Sequence, residues 1–169
     1  MTLAPRLRKL VLTAHVVSSV GWLGAIAGFL ALAITVLTSD ETEAVRAAYL
    51  AMELMGWFAL VPLAFASLLT GLVQSLGTHW GLFKHYWVLF KLLINVVATV
   101  VLLIYTQTLD SLADTARESD HVLRSASPAL HASAALVLLI VATTLAVYKP
   151  RGLTPYGLRK QRESAQTSR

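Results

Sequence analysis

Four side chains combine useful chemistry with almost wholly apolar surroundings: His15, Lys91, His131 and Glu53. Imidazole ligates metals and haem iron and exchanges protons near neutrality. A carboxylate can share such a proton or a metal, and an ammonium is a compact point charge for anions. An ionisable group in hydrocarbon is costly, so by default it marks a function or a buried partner. His15 shares one helical face with Ser19 and Trp22, at i+4 and i+7, and Lys91 shares one with Asn95 and Thr99. His15 and Lys91 enter their apolar runs from the same side and reach similar depths. Gln74 and Ser75 lie near that level, so the four predict a polar pocket. His131 and Glu53 enter from the opposite side, as a structural pair, a proton site or part of a metal site.

The elements that hold these residues follow from composition and patterning. The 169 residues are 56% hydrophobic and 14% charged, with a mean hydropathy of +0.66. A water-soluble domain carries about a quarter charged residues, so lipid is the solvent that fits. Apolar spans are expected at about 10–37, 55–76, 83–109 and 128–148. Each is long enough for the roughly 20 residues that cross a bilayer core. The first is too long for the apolar part of a signal peptide, roughly 7–15 residues. Ser39 with the acids after it predicts a helix start near residue 40, and Gly77 a stop. Pro62 predicts a kink, and Ser127-Pro128 a capped start for the last span. Trp80, Phe83, Tyr86, Trp87 and Phe90 read as an interfacial belt. The segment 110–126 reads as a polar loop. The expected architecture is an all-α, integral membrane four-helix bundle over residues 1–150, followed by a basic tail over 151–169.

Charge sets the expected orientation. Eleven of the fourteen Lys and Arg residues flank one end of the spans, and eight of the nine acids flank the other. Positive flanks face the cytoplasm, so N-terminus and C-terminus are both expected to be cytoplasmic. The net charge of +5 is spent on this asymmetry and does not indicate nucleic acid. The lipid bilayer is the expected partner, and the Gly24/Gly28 pair on the first span offers a close-packing face for a homo-oligomer.

The absence of cysteine removes disulfides, thiolate metal sites and iron–sulfur clusters. A metal or cofactor then falls to His, carboxylate, Met or backbone. The metal candidates are His15, His131 and Glu53. For a b-type haem the candidates are His15, His85, Lys91 and Trp22. Two axial histidines must come from facing helices at matching depth, and only His15 with His85 approaches that condition. His121 reads as a solvated loop residue, and His79 joins His85 in the interfacial loop. The sequence carries no His-Glu-x-x-His helix and no Ser/His/Asp set, so it gives no sign of a hydrolase.

His15-x6-Trp22-Leu23-Gly24 on the first span and Trp87-Val88-Leu89-Phe90-Lys91 on the third resemble two bacterial membrane families. These are the copper-resistance protein D family and the haem-containing HemJ-type membrane protoporphyrinogen oxidases. The run Trp80-Gly81-Leu82-Phe83-Lys84-His85-Tyr86-Trp87 brings the chain nearer still to an uncharacterised small four-helix integral membrane family. Ala25 departs from these families, in which a second glycine is common after the first. The resemblance implies a bacterial inner-membrane location, His15 as haem or metal ligand, and Lys91 as a functional charge. The leading expectation is a single b-type haem near the cytoplasmic face, used for electron transfer or membrane redox chemistry. A non-enzymatic scaffold or partner subunit, and metal or small-solute transport by an oligomer, are the alternatives.

Overall fold

The computed structural model describes residues 4–77, 82–118, 124–150 and 152–167. They form five helices: α1 (Pro5–Thr38), α2 (Thr42–Leu76), α3 (Tyr86–Glu118), α4 (Ser127–Tyr148) and α5 (Pro155–Thr167). The first four are long and apolar enough to cross a membrane, which suits a multi-pass membrane protein. His79, Trp80, Gly81 and His121 lie outside the described residues.

Neighbours in sequence pack side by side, and α4 returns to α1, so the four long helices make a square with α1 and α3 on one diagonal. On α1 the covered positions are His15, Ser18, Trp22, Ile26, Phe29, Ala33 and Val36, one row at steps of three and four. Association in lipid gains little from apolar burial itself and depends on close packing. Ala33, Ala64, Ala113 and Ala116 are accordingly among the most completely covered residues.

Local chemistry sets the helix ends. Gly77 closes α2, donating its N–H to the Val73 carbonyl at 2.9 Å. Lys149 ends α4 in the left-handed region at φ 45°, its N–H still on the Leu145 carbonyl, and Pro150 prevents continuation. Ser39 is the last flanking residue of α1, and its hydroxyl accepts the Glu41 N–H at 3.2 Å while α2 begins at Thr42. Ser127 is the first residue of α4, not its cap; its N–H goes to the Ser125 hydroxyl at 3.2 Å.

One expectation gains detail and one needs correction. The disturbance at Pro62 is a wide turn over Gly56–Leu60, where the Val61 N–H reaches back five residues to the Gly56 carbonyl. A proline clashes with the carbonyl four residues before it, and a π turn moves that carbonyl away. Gly56 suits the site because a Cβ there would lie 3.1 Å from the Leu109 side chain. Secondly, 110–118 is not loop: α3 runs on to Glu118. Its Leu109, Ala113 and Ala116 form a buried row against the first turns of α2, where Val45, Ala48 and Tyr49 are covered. Burying a residue such as Val45 contributes about 1.5–3 kcal/mol, enough to hold a polar sequence in a helix.

The basic tail is also structured. Before α5, Gly152–Thr154 crosses the start of α3. Tyr86 N–H donates to the Gly152 carbonyl at 3.3 Å and Thr154 N–H to the Lys84 carbonyl at 3.0 Å. His85 and Leu153 form an antiparallel bridge.

Candidate functional site

The end of the bundle where α1 and α3 begin contains a cavity of about 380 Å³ between α1, α2 and α3. Lys91, Asn95, Gln74, Ser75 and Arg8 supply its polar lining, and Leu12, Leu68, Trp87 and Leu92 are among its apolar walls. The residues that bring chemistry to it sit on the α1–α3 diagonal. His15 is 8% exposed, and its Nε2 lies 3.3 Å from the Lys91 ammonium nitrogen.

The contact across the diagonal is possible because α2 is thin beside it. A Cβ on Gly71 would stand 2.9 Å from Cε1 of His15, so the imidazole lies directly on the glycine backbone. Ser67, one turn earlier, and Thr70, the residue just before the glycine, hold the ring's other nitrogen. Nδ1 of His15 lies 3.1 Å from the Ser67 carbonyl and 3.2 Å from the Thr70 hydroxyl oxygen. Thr70 gives its own proton to the Ala66 carbonyl at 2.5 Å. A carbonyl only accepts, so Nδ1 carries the proton, and Nε2 is the bare nitrogen that accepts from Lys91. Ser19 reinforces the seam through its hydroxyl, 2.8 Å from that of Ser67.

On α3, Asn95 and Thr99 are both buried. The Asn95 amide donates to the Lys91 carbonyl at 3.1 Å, and Thr99 donates to the Asn95 carbonyl at 2.8 Å. Trp87 is nearly buried on the cavity wall, whereas Phe83, Tyr86 and Phe90 stay exposed at the same end, as interfacial side chains do.

The other candidates are placed differently. His85 stands just before α3, in the bridge to Leu153, with its ring centroid 6.4 Å from that of Trp87. Six residues separate it from Lys91, about 9 Å along a helix axis, so it is not level with the His15–Lys91 contact. Trp22 is 2% exposed in the central core, and its indole N–H finds no acceptor among the described residues. It borders a smaller cavity, about 120 Å³, that reaches Tyr105 and His131. Gly24 faces open space, and Gly28 meets the end of Met55.

The metal set His15, His131 and Glu53 is not assembled. His15 belongs to one end of the bundle and the other two to the opposite end, and no group of three His, Asp or Glu among the described residues can hold a metal ion. Glu53 is instead ion-paired with Arg117, which also binds Asp114 at 2.7 Å. These carboxylates raise the Arg117 pKa, the hydrogen bond that Arg117 donates to Glu53 being the largest cause. His131 stacks on Tyr105 with centroids 4.0 Å apart, and its Nδ1 lies 2.9 Å from the Ser127 carbonyl.

Known proteins give no shortcut here. The chain matches no family model, no curated protein and no solved structure. Function must therefore be argued from the site itself.

Sequence reasoning singled out His15, Lys91, Gln74 and Ser75 but passed over Ser67, Thr70, Gly71 and Arg8. A signal for three of these was present: Ser67, Thr70, Gly71, Gln74 and Ser75 recur at helical spacing in an otherwise apolar span. That pattern is a polar and small stripe on α2, aimed at whatever His15 and Lys91 share.

Proposed function

We propose that this chain is a ligand-binding protein of the bacterial inner membrane, with its cavity in the cytoplasmic leaflet and its His15–Lys91 couple as the working centre. The observation that carries this reading is the 3.3 Å contact of a buried histidine with a lysine on the wall of a 380 Å³ cavity. Cavities of roughly 300–1,000 Å³ with apolar walls and a few converging polar groups are the usual small-molecule sites. The excess of Lys and Arg at this end supports its cytoplasmic placement. Polar groups at one level and leucines around them suit an amphiphile, whose head takes the Lys91 donors and whose body replaces lipid against Leu12, Leu68 and Leu92. The couple also provides a basic nitrogen next to an ammonium, the arrangement needed to hold or pass a proton at the bound head.

Extraction and mass spectrometry of organic molecules from the detergent-purified protein test this reading. An amphiphile should co-purify with the natural chain and be depleted in Leu68→Trp, which fills the cavity. Equal, background-level recovery from both would defeat the proposal.

A single b-type haem is the second reading, favoured by one observation. Hydrogen bonding of Nδ1 to a backbone carbonyl fixes the tautomer that leaves Nε2 unprotonated, as in metal-bound histidines. His15 would hold the iron, and Lys91 and Arg8 would supply positive charge for the propionates. Bound haem would supply one-electron redox chemistry. His85, held in the Leu153 bridge, does not complete a bis-histidine pair with His15. A Soret band that shifts on dithionite reduction and vanishes in His15→Ala would establish this reading. A featureless spectrum after expression with added haem would remove it.

A further inference from the structure

We propose that the head group bound in this cavity is an anion, a carboxylate or phosphate carried by an amphiphile of the inner leaflet, with Lys91 as its counter-charge and Arg8 as its second contact at the mouth. This inference rests on the cavity reading above and specifies its ligand.

The first argument is the local charge balance. Among the described residues no carboxylate pairs with Lys91 or Arg8, although both line the cavity. Glu163 is the only acid of the chain outside the opposite flank, and it lies against Arg159 and Lys160 of α5. Lipid chains cannot compensate a deep ammonium, and an anion delivered to it gains strength from the same low dielectric.

The second argument is the hydrogen-bond inventory at Lys91. An ammonium has three N–H donors, and His15 Nε2 accepts one. His15 cannot neutralise the charge, because its proton is on the side of Ser67. It does fix the direction of the lysine, leaving two donors for a ligand with several acceptor oxygens. A carboxylate or phosphate has them; a single hydroxyl does not.

The third argument is position. Trp87 and Val88, in the first turn of α3, line the cavity, so the positive end of the α3 dipole points the same way. Lys91 lies five residues beyond Tyr86, about 7.5 Å along the axis. An anion on Lys91 thus sits below the level of ordinary head groups, inside walls formed by Leu12, Leu68 and Leu92. That arrangement favours an amphiphile over a fully hydrated ion, whose remaining shell would face leucine.

The test uses the full chain in neutral detergent, titrated with short-chain phosphatidylglycerol, the matching short-chain diacylglycerol that lacks the phosphate, or inorganic phosphate. Native mass spectrometry counts bound molecules, and the difference in quenching by brominated acyl chains between the natural chain and Trp87→Phe reports proximity to Trp87. The natural chain should bind one phosphatidylglycerol at least tenfold more tightly than diacylglycerol. Lys91→Met should remove that preference, and Lys91→Arg should keep most of it. A variant with Arg159, Lys160 and Arg162 of α5 changed to Gln should bind as the natural chain does, which separates the cavity from general surface attraction. Equal binding of the two lipids with intact Trp87 quenching would overturn the anion and leave the cavity reading standing. No quenching by either lipid would overturn both. Competitive binding by inorganic phosphate at similar affinity would assign the anion to a soluble source and overturn its amphiphilic carrier. If Lys91→Met loses its helical circular dichroism, Lys91→Arg together with Arg8→Gln decides: retained preference in the first and a several-fold loss in the second are required.

Discussion

The two ends of the bundle treat charge in opposite ways. At the end rich in acids, charged groups mostly answer one another: Glu53 and Asp114 hold Arg117, Glu43 holds Arg46, and Asp110 accepts the Trp57 indole N–H at 2.9 Å. Tyr49, Tyr105, Ser125, Ser127 and His131 are linked by a chain of hydrogen bonds beside them. At the other end, Lys91 has only a neutral imidazole, and Arg8 has no side-chain partner among the described residues. Ionisable residues therefore mean different things in the two halves. Where opposite charges meet at a surface they join α2 to α3 and contribute to topology. Where a charge lies deep and meets no opposite charge among the described residues, it marks a candidate binding group.

The sharpest way to break this contrast is at Lys91. Lys91→Met should lower affinity for an anionic amphiphile at least tenfold, about 1.4 kcal/mol, while raising or leaving unchanged the thermal stability of the ligand-free protein. A large drop in that stability would instead make Lys91 a structural residue.

Next comes Gly71, which separates the cavity from the fold. Gly71→Ala places a methyl against the His15 ring and should cost about 1–3 kcal/mol by overpacking. Ligand affinity should fall with it, because the ring that aims Lys91 is pushed aside. Unchanged affinity would show that Lys91 needs no such guide.

A smaller effect is expected where the tail meets α3. Thr154 donates its hydroxyl to the Phe83 carbonyl at 2.5 Å and accepts the Gly157 N–H at 3.1 Å. Thr154→Ala should destabilise the docking of α5 by about 1 kcal/mol, seen as faster proteolysis at Arg159 and Lys160. Gly157→Ala tests the same seam from the other side, since its Cβ falls on the Lys84 carbonyl oxygen. Normal protease resistance in both variants would mean that α5 is held by other contacts.

The smallest effect belongs to the acidic end. Glu53→Gln removes an ion pair in which Arg117 is half-exposed, and ion pairs reached by solvent contribute little. Ligand binding should be unchanged. A clear loss of affinity would show that the two ends communicate, and the contrast drawn between them would fail.

Much of this was written in the linear chain. The four apolar spans, the stop at Gly77 and the cluster of Lys and Arg at one end need only local composition, because bilayer thickness and backbone hydrogen bonding leave few other options. The shared level of His15 and Lys91 was legible from their distance to the charged flanks. The end of α3 was not. Residues 110–118 are polar, and only the matching surface on α2 explains why Leu109, Ala113 and Ala116 form a buried row. The tail read as bare charge because the hydrogen bonds that organise Thr154 come from carbonyls about 70 residues away.

The sequence by itself determined that this protein is four apolar helices with an uneven charge distribution and two ionisable groups at one depth. Only the tertiary structure decided that those groups touch. They sit on opposite corners of the square, and contact across a diagonal depends on the rotation of three helices at once. It also depends on the glycine that lets one ring lie against α2. No spacing within a single span contains that information.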